Sequence, residues 1–291
     1  MTEARPRPRP TIAALETRQR VRLADLELAY DVAGPANGAV PVLLCMGAVL
    51  PGHAWRFVVP ELQGERQVAW FDNRGTGASG APRGPYTIAQ LAGDAAALLA
   101  HLGWARAHVV GVSLGGMVAQ ELALAHGARL RSLTLIATHP GGLWQRVPPL
   151  RAWPLLARLA VASAQTRARA AAPLLFPQAY REEVGEDWIQ GVLSRDFHPP
   201  ITRDGRRGQL AAAMKHDTRA RLGALATLPT LVVKPGRDLI IAPRNSDALH
   251  RLIPGSQLVT FADAGHGLIR QYPRELCAAL REHFARAEGA P

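Results

Sequence analysis

Three side chains in this 291-residue chain have the types and the order that nucleophilic acyl chemistry needs. Ser113 stands in "GVSLGG", directly after the apolar run "AHVV" and before "MVAQELALAHG". That is the setting of a nucleophile elbow, where small neighbours permit a tight strand-to-helix turn and lift one hydroxyl clear of the backbone. A bare GxSxG match carries little weight, and the glycines could equally serve to relieve crowding. The rest of the order adds the weight. Asp238 follows "TLVVKPGR" and His266 follows "LVTFADAG", each just past an apolar run that reads as a strand. A histidine so placed can take the serine proton, and a carboxylate can orient the imidazole and stabilise its charged form. The ordinary alternatives are that Asp238 caps the helix after it and that a histidine between glycines is a turn residue. Three coincident placements at strand ends favour the triad Ser113, Asp238 and His266.

Such groups need a scaffold that brings strand ends together, and the chain alternates strand and helix signals. "LELAYDVAG" (26–34) alternates like a half-buried strand, while "VPVLLCMG" (40–47) and "RQVAWFD" (66–72) are continuous apolar runs suited to strands covered on both faces. A helix opens at Thr87, with Gln90 completing a capping box, and stops at Gly103. Then come the strand "AHVVGV", the helix "LGGMVAQELALAH" and the strand "LRSLTLIA" (130–137). After an interruption follow a strand in "TLPTLVVKPG" (227–236), a helix near 244–252, the strand "QLVTFA" (257–262) and a last helix carrying Leu276, Leu280 and Phe284. The pattern predicts an α/β fold with a mostly parallel, doubly wound sheet. Its core spans 18–138 and 226–291, behind a basic, proline-rich mobile tail at 1–17. The interruption, 139–225, is expected to be a helical cap inserted after the sixth strand, over the strand C-termini where a ligand crevice belongs. It holds Trp144, Trp153 and Trp188 with Leu155, Leu156, Leu159, Val161, Leu174, Leu175 and Phe176, so an apolar pocket is expected, with the Arg-rich "QTRARA" and "RDGRRG" facing solvent.

Composition narrows the function classes. The formal charge is +11, but arginines are scattered and lysine occurs only at Lys215 and Lys234, which argues against a phosphate-binding face and hence against nucleic acid. No apolar run approaches the roughly 18 residues of a membrane span, and "MTEARPRPRP" has no apolar signal core, so a soluble, cytoplasmic protein is expected. Cys45 and Cys277 sit in apolar runs as reduced thiols, and they spell no metal site. The oligomeric state is left open.

The chain resembles the α/β-hydrolase superfamily over about residues 18–287, on the strength of "GVSLGG", "FDNRGTGAS" (71–79), "GRDLIIAP" (236–243) and "DAGHG" (263–267). The resemblance implies an oxyanion hole made by the backbone N–H groups of Leu114 and Ala48. Many members carry His-Gly before the second donor, where this chain has Met46 and Gly47. The "MG" variant with Trp55 downstream is similar to methylesterases of aromatic polyketide biosynthesis. Asp72 is expected to organise its loop rather than to act as the acid, and a rival acid after the preceding strand is absent, since that position reads "ATHPGG". Members that open epoxides or displace halide place aspartate at the elbow, so a serine implies acyl chemistry without a cofactor. The expected substrate is a small to medium apolar ester or lactone, with Met46, His53, His139 and Trp144 as candidate contacts. The alternatives are carbon-carbon bond hydrolysis or acyl transfer with the same triad, or a non-catalytic ligand receptor on this scaffold.

Overall fold

In the computed structural model, which describes residues 15–16, 18–82, 84–143, 147–163, 166–198 and 201–289, eight strands form one sheet. They are β1 (Gln19–Arg22), β2 (Glu27–Ala33), β3 (Val42–Cys45), β4 (Val68–Phe71), β5 (Ala107–Val112), β6 (Leu130–Ile136), β7 (Thr230–Pro235) and β8 (Gln257–Phe261). Their order across the sheet is β1-β2-β4-β3-β5-β6-β7-β8. Only β1 and β2 run antiparallel to their neighbours, and every pair from β4 to β8 is parallel. A single row of partners, Cys45, Gly111, Leu135, Val232 and Leu258, crosses five strands. The segments leaving β3, β5, β7 and β8 therefore emerge along one edge, which is what brings distant sequence positions together.

The helices of the scaffold are α1 (Val59–Leu62), α2 (Ile88–His101), α3 (Leu114–His126), α9 (Arg244–Leu252), α10 (Leu268–Gln271) and α11 (Pro273–Gly289). Between α3 and α9, five more follow β6: α4 (Trp153–Ala160), α5 (Arg167–Leu175), α6 (Gln178–Val184), α7 (Glu186–Asp196) and α8 (Arg203–Lys215). The sheet is buried on both faces because its strands alternate between two cores. Leu43 and Cys45 point into a cluster with Leu91, Leu98, Met117 and Leu249 from α2, α3 and α9. Val42 and Leu44 point into the other, with Trp55, Leu276, Leu280 and Phe284. Each fully buried Leu or Phe contributes about 1.5–3 kcal/mol over its exposed state. The capping box read at Thr87 forms: its side chain accepts from the Gln90 N–H, and the Gln90 side chain accepts from the Thr87 N–H. The inserted helices have a core of their own, built on Ala171, Leu175, Phe176, Tyr180, Ile189 and Leu193.

Two features depart from the sequence reading. β1 is a strand that its residues do not announce: of "QRVR" only Val21 is buried, and pairing with β2 alone holds it. Most of the tail at 1–17 lies outside the described residues, but Leu15 packs on the second core and the Glu16 carbonyl accepts the Trp70 indole N–H at 2.9 Å. Among the described residues, no helix is long and apolar enough to cross a membrane.

Candidate active site

Ser113 joins β5 to α3 with φ 55° and ψ −119°, a backbone that a non-glycine residue holds only under strain worth roughly 1–3 kcal/mol. Its neighbours explain how. A Cβ on Gly115 would lie 2.0 Å from the Cys45 carbonyl oxygen, and one on Gly111 would lie 2.2 Å from that of Gly115. Only glycine lets α3 start pressed against both β3 and the end of β5. The turn is then pinned: the Ser113 N–H donates to the Ile136 carbonyl at 2.9 Å, and the Thr138 hydroxyl donates to the Ser113 carbonyl at 2.7 Å.

Asp238, fully buried after β7, receives His266 Nδ1 at 2.7 Å on one oxygen and the N–H groups of Ile240 and Ile241 at 2.7 and 2.9 Å on the other. It thus does both things the sequence allowed, bracing its own turn and orienting the imidazole. A carboxylate only accepts, so Nδ1 carries the proton and Nε2 is left as the basic nitrogen. The loop bearing His266 is held from the insertion, because the Gly267 N–H donates to the Leu175 carbonyl at 2.8 Å.

Ser113 and His266 line one cavity of about 610 Å³, together with Met46, Gly47 and Ala48 from the loop after β3. This volume suits a small-molecule ligand. Leu114 is the first residue of α3, so its N–H has no carbonyl within the helix to reach. Among the described residues, neither the Leu114 nor the Ala48 N–H donates to a protein acceptor. Both are therefore available to an oxyanion formed beside Ser113. Asp72 lies outside this group: its two oxygens accept the N–H groups of Gly52 at 2.6 Å and Ala78 at 2.8 Å, which ties together two loops.

The insertion lends five leucines to the cavity wall, Leu156, Leu159, Leu174, Leu175 and Leu210. The other expected pocket residues are placed elsewhere. Phe176 is buried beneath the His266 loop, where a Cβ on Gly267 would lie 2.4 Å from its ring, and Val161 and Trp153 are exposed. Trp188 packs on Phe57 and Tyr180, and Trp144 lies outside the described residues. Of the candidate contacts among the described residues, Met46 alone lines the cavity. His53 instead donates from Nε2 to the Arg195 carbonyl at 3.0 Å, and burial holds its pKa below the usual histidine range. His139 accepts the Gly141 N–H on Nδ1 at 3.0 Å and is buried beside His216. Both are bound into the framework because each lies where a loop meets the insertion.

The Arg-rich segments meet the sequence reading in part, since Arg169, Arg203 and Arg207 are exposed. Arg167 from "QTRARA" and Arg206 from "RDGRRG" are half-buried and line the cavity, as does Arg270 on α10. A further residue was missed: Gln209, fully buried on α8, accepts the Val49 N–H at 2.8 Å and donates to the Arg74 carbonyl at 3.0 Å and to the Thr76 hydroxyl. It reaches the loop that carries Ala48 at the one residue, Val49, whose φ of 63° is unusual for a β-branched side chain.

A family model described as the alpha/beta hydrolase fold matches residues 40–269. The chain is 34% identical over 251 residues to a provisionally named carbamate hydrolase, RutD, of Variovorax paradoxus, covering 83% of this chain and 89% of that one. It is 30% identical over 239 residues to the pimeloyl-[acyl-carrier protein] methyl ester esterase of Neisseria meningitidis serogroup B, covering 79% and 87%. The enol-lactonase of Burkholderia xenovorans LB400 superposes with a TM-score of 0.79 at 26% identity, covering 92% of this chain and all of that one. The family model over residues 40–269 and the 34% identical relative, with a mostly parallel eight-stranded sheet, place this chain in the α/β-hydrolase family of enzymes.

Proposed function

We propose that the protein is a serine hydrolase that cleaves a carboxylic ester or lactone of a small to medium apolar substrate through an acyl-enzyme. The observation that carries this reading is the meeting, in one cavity, of Ser113 on its strained turn and His266 with Nδ1 tied to Asp238. Ser113 Oγ attacks the carbonyl carbon while its proton passes to His266 Nε2, and the carbonyl oxygen becomes an oxyanion held by the N–H groups of Ala48 and Leu114. Collapse of this intermediate breaks the bond to the alkoxide, which takes the proton from Nε2 and leaves as the alcohol. Water then gives a proton to Nε2 and attacks the acyl carbon, and the second collapse frees the acid and returns Ser113 to its hydroxyl form. For a lactone the alcohol stays tethered to the acid.

Donors already fixed in place suit this chemistry, because removing one such donor costs on the order of 100-fold in rate. The names of two similar proteins, a methyl ester esterase and an enol-lactonase, support the same bond class. The leucine-lined wall supports an apolar substrate body. A fluorophosphonate is expected to form one adduct on the wild type and none on Ser113→Ala, with hydrolysis of a chromogenic ester and lactone panel lost in parallel. Equal labelling of both proteins, or turnover that survives Ser113→Ala, overturns the reading.

A further inference from the structure

Charge inside the cavity is one-sided. Arg167, Arg206 and Arg270 line it, and among the described residues no Asp or Glu does. Arg270 is buried and gives its Nε to Asp196 Oδ2 at 2.6 Å, while Arg56 holds the other oxygen at 2.5 Å. Two cations thus share one buried carboxylate, leaving positive charge uncompensated beneath the site. Arg167 and Arg206 are not compensated at all: among the described residues, neither has an ion pair or a side-chain hydrogen bond.

The backbone that carries Arg206 is fixed in place. One turn further along α8, Gln209 is bonded to Val49 beside the Ala48 donor, and Leu210 lines the cavity with Arg206. The backbone of α8 is held tightly too, since a Cβ on Gly205 would lie 2.1 Å from the Gly75 carbonyl oxygen. A half-buried guanidinium that lines a largely apolar pocket and has no carboxylate partner among the described residues can take an anion from a ligand.

We infer that the substrate carries an oxyanionic terminus, a carboxylate or a phosphate, at the end of its apolar body remote from the scissile bond, and that Arg206 and Arg167 hold it. Either anion suits the bidentate fork of arginine. The inference rests on the hydrolase reading for its scissile bond, but anion binding can be measured without turnover. Ser113→Ala would be titrated calorimetrically with three ligands of equal length: dimethyl suberate, monomethyl suberate and a methyl ester ending in a phosphonate. The wild type would be assayed for kcat/KM on the same three.

At least one anionic ligand is expected to bind ten-fold or more tighter than dimethyl suberate, and the tighter of the two identifies the anion. That preference should shrink as salt rises from 50 to 500 mM. It should fall to near one in Arg206→Gln, fall in Arg167→Gln, be partly kept by Arg206→Lys, and persist in Arg203→Gln, which alters an exposed arginine of the same helix. Melting temperatures of the variants separate loss of preference from loss of fold. Equal binding of all three ligands, or a preference unmoved by Arg206→Gln and Arg167→Gln in folded protein, overturns the inference. If the wild type turns over none of the three while Ser113→Ala keeps the anion preference, the hydrolase reading fails and the inference stands.

Discussion

Replacing Gln209 with alanine tests how the inserted helices set the loop after β3. The side chain is fully buried and makes three hydrogen bonds, to the Val49 N–H, the Arg74 carbonyl and the Thr76 hydroxyl. At about 1 kcal/mol net for each bond, with a further penalty for partners left unsatisfied, Gln209→Ala should cost about 3–4 kcal/mol of stability. In a chain of this size that is a fall in Tm of roughly 6 °C or more. The effect on catalysis is separate. Val49 holds its left-handed backbone at a cost of about 1–2 kcal/mol, and without the Gln209 oxygen its N–H loses the acceptor that offsets this. The loop should then relax and carry the neighbouring Ala48 N–H away from the oxyanion. Partial loss of one such donor predicts a fall in kcat of about 10- to 100-fold with KM little changed.

Gln209→Glu separates the two effects. A carboxylate still accepts from Val49 but cannot donate to the Arg74 carbonyl, so kcat should recover in part while Tm stays low. Steady-state kinetics on one chromogenic ester and thermal unfolding of the three proteins decide the matter. If Gln209→Ala lowers Tm but leaves kcat within two-fold, or if Gln209→Glu is as slow as Gln209→Ala, Gln209 does not position the loop.

Asp238→Asn should lower kcat by on the order of 10³- to 10⁴-fold, because its amide would donate toward Nδ1 and impose the wrong imidazole tautomer. Asp72→Asn should instead act on folding, leaving the N–H of Gly52 or Ala78 without its acceptor at a cost of about 1–3 kcal/mol. Kinetics and unfolding of the pair would reverse the two roles if Asp72→Asn were inactive and Asp238→Asn active. Burial pushes His108 and His283 down to about 4, with Glu288, Arg66, Arg131 and Arg286 as the charged groups around them. Between pH 4 and about 6.5 the unfolded chain therefore binds more protons there than the folded one, so stability falls as pH drops through this window, by up to about 3 kcal/mol per histidine. Urea unfolding at pH 7.5 and 5 should show the loss, and a His283→Gln variant with an unchanged pH slope would remove that residue from the account. Along acetate, butyrate, hexanoate and octanoate esters of one alcohol, kcat/KM should rise until the cavity fills, at about 0.8 kcal/mol per desolvated methylene; a steady preference for acetate would show that the leucine wall does not bind the acyl chain.

The scaffold was legible because buried parallel strands are written as continuous apolar runs, and the His266–Asp238 pair and the place of Ser113 because each residue stands just past one. β1 was illegible for the opposite reason, as backbone pairing leaves no trace in "QRVR". The wall of the site was read only in half. Leu156, Leu159, Leu174 and Leu175 announce themselves as apolar, whereas "RDGRRGQLAAAMK" reads as a solvated polar helix. Its glycines were the available signal: Gly205 and Gly208 lie three apart, and a Cβ on either would collide with Gly75 or Tyr86. A helix that needs two glycines on one face is pressed against something, so the residues beside them, Arg206 and Gln209, were candidates for contact with the core. His53 and His139 misled because loop position near a site does not fix where a side chain points.

The hydrogen bond from Gly267 to Leu175 has a consequence for changing this enzyme's specificity. The end of α5 lends a wall residue to the cavity and, through its carbonyl, anchors the turn that presents His266. The pocket wall and the turn that carries His266 are mechanically joined there. An exchange of the inserted helices for those of another hydrolase would disturb the His266 turn along with the pocket unless the 175–177 segment travelled with the core. Changes confined to α4 are free of that bond and of the Gln209 bond from α8 to Val49, and directed variation of the pocket has its widest latitude there.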